Sequence, residues 1–187
     1  MKKLLSALFA LALCSSMALA TVPYPPNCVV APCDAFQGAV LCPDTPSPIP
    51  ASVVTLTIRN QANNPIANAA VNVTFGTGPL CVCPTMVFNT TTNGSGIATL
   101  TLRGGGCIQN TDLACVFRAN GVVVRDFLNL KSPDWDGAAG NCIVNLADLV
   151  RFAPGTDLCF DFNNNGLVQL DDVVIFVSGY TPAHHCP

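Results

Sequence analysis

The 187-residue sequence predicts a mainly β fold: an antiparallel β-sandwich followed by a small α-helical module. Two patterns carry this expectation. From Ser52 to Phe127, apolar residues recur at every second position in short runs broken by Asn, Pro and Gly turns, the signature of half-buried strands. After Asp134 the pattern changes. A segment rich in side-chain oxygens occurs twice, and each copy leads into apolar residues at helical spacing.

The amino terminus sets the compartment. Lys2 and Lys3 precede an apolar run from Leu4 to Leu13, and Ala18-Leu19-Ala20 supplies small residues of the kind signal peptidase reads. Residues 1–20 are therefore expected to be a signal peptide, giving a secreted or cell-surface protein. No other apolar run is long enough to span a bilayer. Beyond Cys14, ten cysteines remain, an even number suited to disulfides in an oxidising compartment. Proximity favours Cys28 with Cys33 or Cys42, and Cys107 with Cys115. Metal ligation by Cys81 and Cys83, or by His184, His185 and Cys186, is the weaker alternative because four ligands at zinc spacing are missing.

Residues 21–50 are rich in proline and cysteine and read as a stapled, extended lead-in. The strands follow over 51–128. Val54, Leu56 and Ile58 alternate with Thr55, Thr57 and Arg59; Val71, Val73 and Phe75 alternate with Asn72 and Thr74; Leu100 and Leu102 alternate with Thr99, Thr101 and Arg103. Further strands are expected over Met86 to Thr90, Leu113 to Ala119 and Val122 to Phe127. Turn chemistry at Asn63-Asn64-Pro65, Thr92 to Gly96 and Gly104 to Gly106 separates them.

The most specific motif lies near the carboxyl end. Asp161, Asn163, Asn165, Gln169 and Asp172 place side-chain oxygens at positions 1, 3, 5, 9 and 12 of a twelve-residue loop, Leu167 offers a carbonyl at position 7, and Gly166 sits at the sharp turn. That is the ligand order of an EF-hand-type calcium loop. Upstream, Asn141 to Phe152 aligns with Asn165 to Phe176, and six of the twelve positions are identical. The first copy is less regular. Its ligands would be Asp134, Asp136, Asn141, the Ile143 carbonyl, Asn145 and Asp148, with about three extra residues between Gly137 and Gly140 and with Cys142 in place of the turn glycine. Either the insertion carries the turn or that loop binds poorly. Two Ca2+ sites are expected, the second firmer than the first. Helices should follow over Leu146 to Phe152 and Leu170 to Val177, packing through Leu146, Val150, Phe152, Leu170, Val174 and Phe176, with no helix entering either loop.

These repeats resemble the dockerin family, over residues 132–182, in the tandem loop-helix arrangement, the aspartate at position 12 and the run DFNNNGLVQLDDVV. The resemblance implies calcium-ordered helices that dock onto cohesin domains. Positions 10 and 11, which help read the partner in that family, hold Leu146 and Ala147, then Leu170 and Asp171, in place of the Ser-Thr pair of the best-known type. Upstream, TLTIRNQANNPIANAAVNVTF followed by TTTNGSGIATLTLRGGG is similar to bacterial immunoglobulin-like domains of the invasin and intimin type. This implies an immunoglobulin-like spacer or adhesion sandwich without catalytic residues. Residues 183–187 form a tail.

Composition narrows the function. Without Lys2 and Lys3 the chain carries six basic and eleven acidic residues, about −5 in net charge, and has no basic stripe for nucleic acid. All the acids are aspartates, and the only histidines are His184 and His185, so the parts of a catalytic dyad are scarce. Trp135 and Phe162 could stack on a sugar, but packing against the loops is the commoner role. The expectation is a secreted, non-catalytic calcium-binding protein whose module docks to a cohesin-like or other surface partner. The alternatives are an adhesin or self-assembling structural protein with the module as an intramolecular cap, and, less favoured, a carbohydrate-binding or small hydrolytic accessory protein.

Overall fold

The computed structural model describes residues 21–32, 38–43, 49–81, 83, 88–137, 139–153, 155–180 and 184–186. The expected signal peptide lies outside these residues, as do Cys33, Met86 and Val87. The fold is mainly β, with antiparallel sheets and, among the described residues, two α-helices. Among the described residues no helix is long and apolar enough to cross a membrane.

The period-two runs become strands with alternating burial, as side chains on opposite faces of a pleated sheet must. Strands β1 (Val29–Ala31), β3 (Val53–Thr57) and β7 (Ile97–Thr101) form a three-stranded antiparallel sheet in the order β1-β3-β7. Strands β4 (Ala70–Phe75), β6 (Phe88–Thr91), β9 (Cys115–Ala119) and β10 (Val122–Phe127) form a four-stranded antiparallel sheet in the order β10-β9-β4-β6. The apolar faces of both sheets share one core. Val30, Val54, Leu56 and Leu100 from the first meet Val71, Val73, Phe117 and Phe127 from the second, and the rings of Phe117 and Phe127 pack edge to face.

The connections have local causes. Asn120 and Gly121 both take positive φ, 47° and 80°, which is what a two-residue hairpin between β9 and β10 needs. At the turn before β7, Asn93 accepts hydrogen bonds from the amides of Ser95 and Ile97. Gly96 there has φ +72°, and a Cβ would lie 2.5 Å from the Ile58 carbonyl oxygen.

The described residues of the proline-rich stretch 21–50 contribute directly to the body. Besides β1, they supply β2 (Gly38–Val40), which pairs in parallel with β11 (Asn129–Lys131), while Leu41 enters the main core. Short antiparallel ribbons join β5 (Leu80–Cys81) to β8 (Gly105–Gly106), and β12 (Ile143–Val144) to β13 (His184–His185). The two helices, α1 (Leu146–Phe152) and α2 (Leu170–Gly179), fall where the spacing predicts them. A single 3-10 turn, Leu158–Phe160, precedes the second loop.

A second core joins the helices to the rest of the chain. It contains Val40, Cys42, Ile49, Cys107, Trp135, Phe152, Cys159, Phe160, Phe162 and Phe176. Phe176 stacks on Phe152 at 4.5 Å and meets Phe160 edge on at 6.0 Å. Only two of the six residues in the predicted helix-packing set are buried. Phe152 and Phe176 turn inward, but Leu146, Val150, Leu170 and Val174 are 64%, 62%, 76% and 63% exposed. Both helices are short and apolar on more than one side, and the aromatic cluster decides which stripe is buried. Trp135 and Phe162 are buried in the same core, so neither offers a face to a sugar.

The disulfides also differ from the proximity guesses. Cys81 pairs with Cys142, Cys83 with Cys186 and Cys107 with Cys159. Cys107 thus bridges to the module and not to Cys115, and Cys28 keeps its thiol, against which the Arg59 amide lies at 3.4 Å. Sequence distance misleads because the sheets bring chain segments 52 to 103 residues apart into contact.

Candidate functional site

The second loop is closed by hydrogen bonds from its own backbone. Asp161 Oδ1 accepts from the amide of Asn165, and Oδ2 from that of Gly166, each at 3.0 Å. Asn163 Oδ1 also accepts from Asn165, and Asn165 Oδ1 from Leu167. At the far end, Asp172 Oδ1 accepts from the amides of Phe162 (2.7 Å) and Asn163 (3.3 Å), while Oδ2 accepts from Gln169 at 3.0 Å. That last bond caps the first turn of α2, where a carboxylate is also favoured by the helix dipole. The Asn163 side-chain amide donates to Asp171.

The first loop repeats this plan despite its longer sequence. Asp134 Oδ1 and Oδ2 accept from the amides of Asn141 (3.0 Å) and Cys142 (2.7 Å), the counterparts of Asn165 and Gly166. Asn141 Oδ1 accepts from Ile143, as Asn165 does from Leu167. Asp148 Oδ2 accepts from Asn145 at 2.8 Å, and Asn145 Oδ1 accepts in turn from Ala147, completing a capping box on α1. The sequence leaves open where this loop turns. It turns at Cys142 itself, with φ +69° against +86° at Gly166. The disulfide to Cys81 and the short bond to Asp134 hold a side-chain-bearing residue in a conformation that ordinarily favours glycine.

The electrostatics of the two loops differ. Asp134, Asp148, Asp161 and Asp172 are all buried. Burial pushes the Asp134 carboxyl up to about 7, although the amides of Asn141 and Cys142 favour its charged form. Burial also raises Asp148 and Asp172 above the usual carboxylate range. Asp148 Oδ1 is buried without a hydrogen-bond partner; the Trp135 amide lies near enough to favour its charged form without completing a bond. In the second loop a residue missed by the sequence reading intervenes. Lys131, itself buried, places its ammonium 2.5 Å from the Asp161 carbonyl oxygen and 3.3 Å from Oδ2.

These donor sets are all oxygen, which suits a hard divalent cation such as Ca2+. An orphaned buried carboxylate oxygen in the first loop, and buried carboxylates pushed toward protonation in both, are what such a cation would relieve. Among the described residues, three carboxylates do not converge within 4.8 Å in either loop, so amide and main-chain oxygens would have to complete each set. Asp136 stands to one side, accepting from the Asn141 side-chain amide.

Four cysteines do gather, and three of them, Cys81, Cys83 and Cys186, belong to the weaker metal-ligand alternative read from the sequence. The sulfurs of Cys81, Cys142 and Cys186 lie within 4.8 Å of one another, and Cys83 is bonded to Cys186. As described, they are paired into disulfides. Outside the loops, Asp157 accepts from Trp135 Nε1 at 3.1 Å and pairs with Arg151 at 2.9 Å. No protein-family model, curated protein or solved structure matches this chain.

Proposed function

We propose that this is an exported, non-catalytic protein in which two calcium-loaded, dockerin-like loops order a pair of helices for docking to a surface or complex partner, with an immunoglobulin-like sandwich as the supporting body. The observation that carries the docking reading is the outward apolar face of the helices. Leu146 and Leu170 occupy equivalent positions of the two repeats, as do Val150 and Val174, and all four stand well exposed while Phe152 and Phe176 anchor the helices from beneath. Exposed apolar residues in a cluster are costly to keep unless a partner covers them. The chemistry expected of that partner is an apolar protein surface, of the kind a cohesin-like domain would offer.

Calcium acts here through helix order. In each loop the closing aspartate, Asp148 or Asp172, also caps the first turn of the helix that carries the exposed face. A cation held at that aspartate fixes the start of the helix. Metal bound only to the folded state adds RT ln(1 + [L]/Kd), about 2.7 kcal/mol per site at a hundred-fold excess over Kd.

The intramolecular-cap reading has support of its own. All three described disulfides run between residues 81–107 and residues 142–186, and the second core mixes module and body residues. The module is in that case fixed to the body while its apolar face remains free. Calorimetric titration of the oxidised protein with CaCl2, and capture of a purified cohesin-like domain with and without chelator, test both halves. Heat of binding and chelator-sensitive capture are expected. Absence of calcium binding refutes the whole reading; calcium binding without capture refutes docking and leaves the cap.

A further inference from the structure

The two loops have unequal need of a metal, and the inequality is the reverse of the order expected from loop length. In the second loop every carboxylate oxygen of Asp161 and Asp172 has a hydrogen-bond donor. A cation is already present, since the Lys131 ammonium touches Asp161 and lies within Coulombic reach of Asp172. In the first loop Asp134 and Asp148 are both fully buried, Asp148 Oδ1 has no partner, and Asp136 adds a third negative charge nearby. Arg151, whose guanidinium packs against Gly137 of this loop, pairs with Asp157.

We infer that Lys131 is the resident cation of the second loop, neutralising Asp161 from the body of the protein, so that the first loop is the tighter and more metal-dependent calcium site. This rests on the calcium reading above. Lys131 sits at the end of β11, pinned by its parallel pairing with β2, so its ammonium is delivered by the sheet and does not move with the loop. A calcium ion entering the second loop must share Asp161 with a positive charge that cannot leave for water, because Lys131 is buried. An ion entering the first loop meets the buried carboxylates of Asp134 and Asp148, and one oxygen of Asp148 there has no donor to share. Regular loop length therefore matters less than what faces the loop from outside it.

The test is calcium titration of the full oxidised chain by calorimetry, with thermal melting alongside, for the wild type and for Lys131→Met, Lys131→Gln, Asp134→Asn and Asp161→Asn. The wild type should show one tight and one weak site. Asp134→Asn should remove the tight one and Asp161→Asn the weak one. Lys131→Met should tighten the weak site by about tenfold or more and leave the tight site unchanged. Lys131→Gln keeps a hydrogen-bonding group without the charge and should tighten it likewise; it carries the test if the methionine variant melts as an unfolded chain. The inference is overturned if both Lys131 variants bind the second site no better than the wild type, or if Asp161→Asn removes the tight site. No heat of calcium binding in the wild type, where the fold is intact by melting, overturns the calcium reading itself.

Discussion

Replacing Phe176 by alanine should cost far more stability than replacing Leu170, although both are large apolar residues of the same helix. Phe176 is 1% exposed and touches three rings: Phe152 stacked at 4.5 Å, Phe160 edge on at 6.0 Å and Tyr180 at 5.9 Å. Truncating a buried phenylalanine to alanine typically costs about 3–5 kcal/mol, and the aromatic contacts place this site in the upper part of that range. Leu170 is 76% exposed. Only about a quarter of the roughly 2–3 kcal/mol available from burying a leucine is realised there, so Leu170→Ala should cost about 0.5 kcal/mol. For a chain of this size each kcal/mol moves the melting temperature by about 2–4 °C. Phe176→Ala should therefore lower it by about 10–15 °C and Leu170→Ala by about 1–2 °C. Thermal melting by circular dichroism, with disulfides intact and calcium in excess, distinguishes these outcomes. A larger loss for Leu170→Ala would show that the helices pack through the opposite face and that no apolar docking face exists.

Two further outcomes follow from the site. In chelator, Asp134 has a folded pKa of about 7 against an ordinary 3.8, so its stabilising contribution is fully present below about pH 4 and is lost as pH rises through 7. Metal-free protein should accordingly melt at lower temperature at pH 8 than at pH 5, and Asp134→Asn should flatten that dependence; a wild-type profile that rises with pH would contradict the assignment. Replacing Cys107 and Cys159 together by serine opens a bridge spanning 52 residues, which the loop-entropy account values at about 4 kcal/mol for a lone link. Because the other two bridges close overlapping loops, about 2–4 kcal/mol is expected in urea unfolding, and an unchanged midpoint would mean that the bridge is not formed.

Local pattern gave the strands and helices because each depends on neighbours within a few residues. Val54, Leu56, Val71 and Val73 point inward as their alternation requires, and α1 and α2 occur at the predicted places. Long-range choices were not legible. Which stripe of α2 is buried depends on Phe160 and Phe152, and the partner of Cys107 is set by where the module comes to rest. Lys131 is the clearest case. Nothing in Leu130-Lys131-Ser132 signals a role at a loop thirty residues on, because its position comes from pairing with a strand some ninety residues earlier in the chain. The turn at Cys142 was hidden for a related reason, since the disulfide that holds it comes from Cys81.

The placing of the three bridges has a mechanical consequence. Each joins the stretch from Cys81 to Cys107 to the stretch from Cys142 to Cys186, so a load applied at the exposed helices need not pass along residues 128–141. It crosses through sulfur into β5 and the segment after β8, and from there into the sheets. A cut in the connecting segment would leave the two halves covalently joined, and steady pulling on α1 or α2 would strain the β body before it could peel the helices away. Resistance to shear and to proteolytic clipping thus depends on redox state: in a thiol reductant the helices would be held to the body by the non-covalent packing of the second core and by the connecting segment.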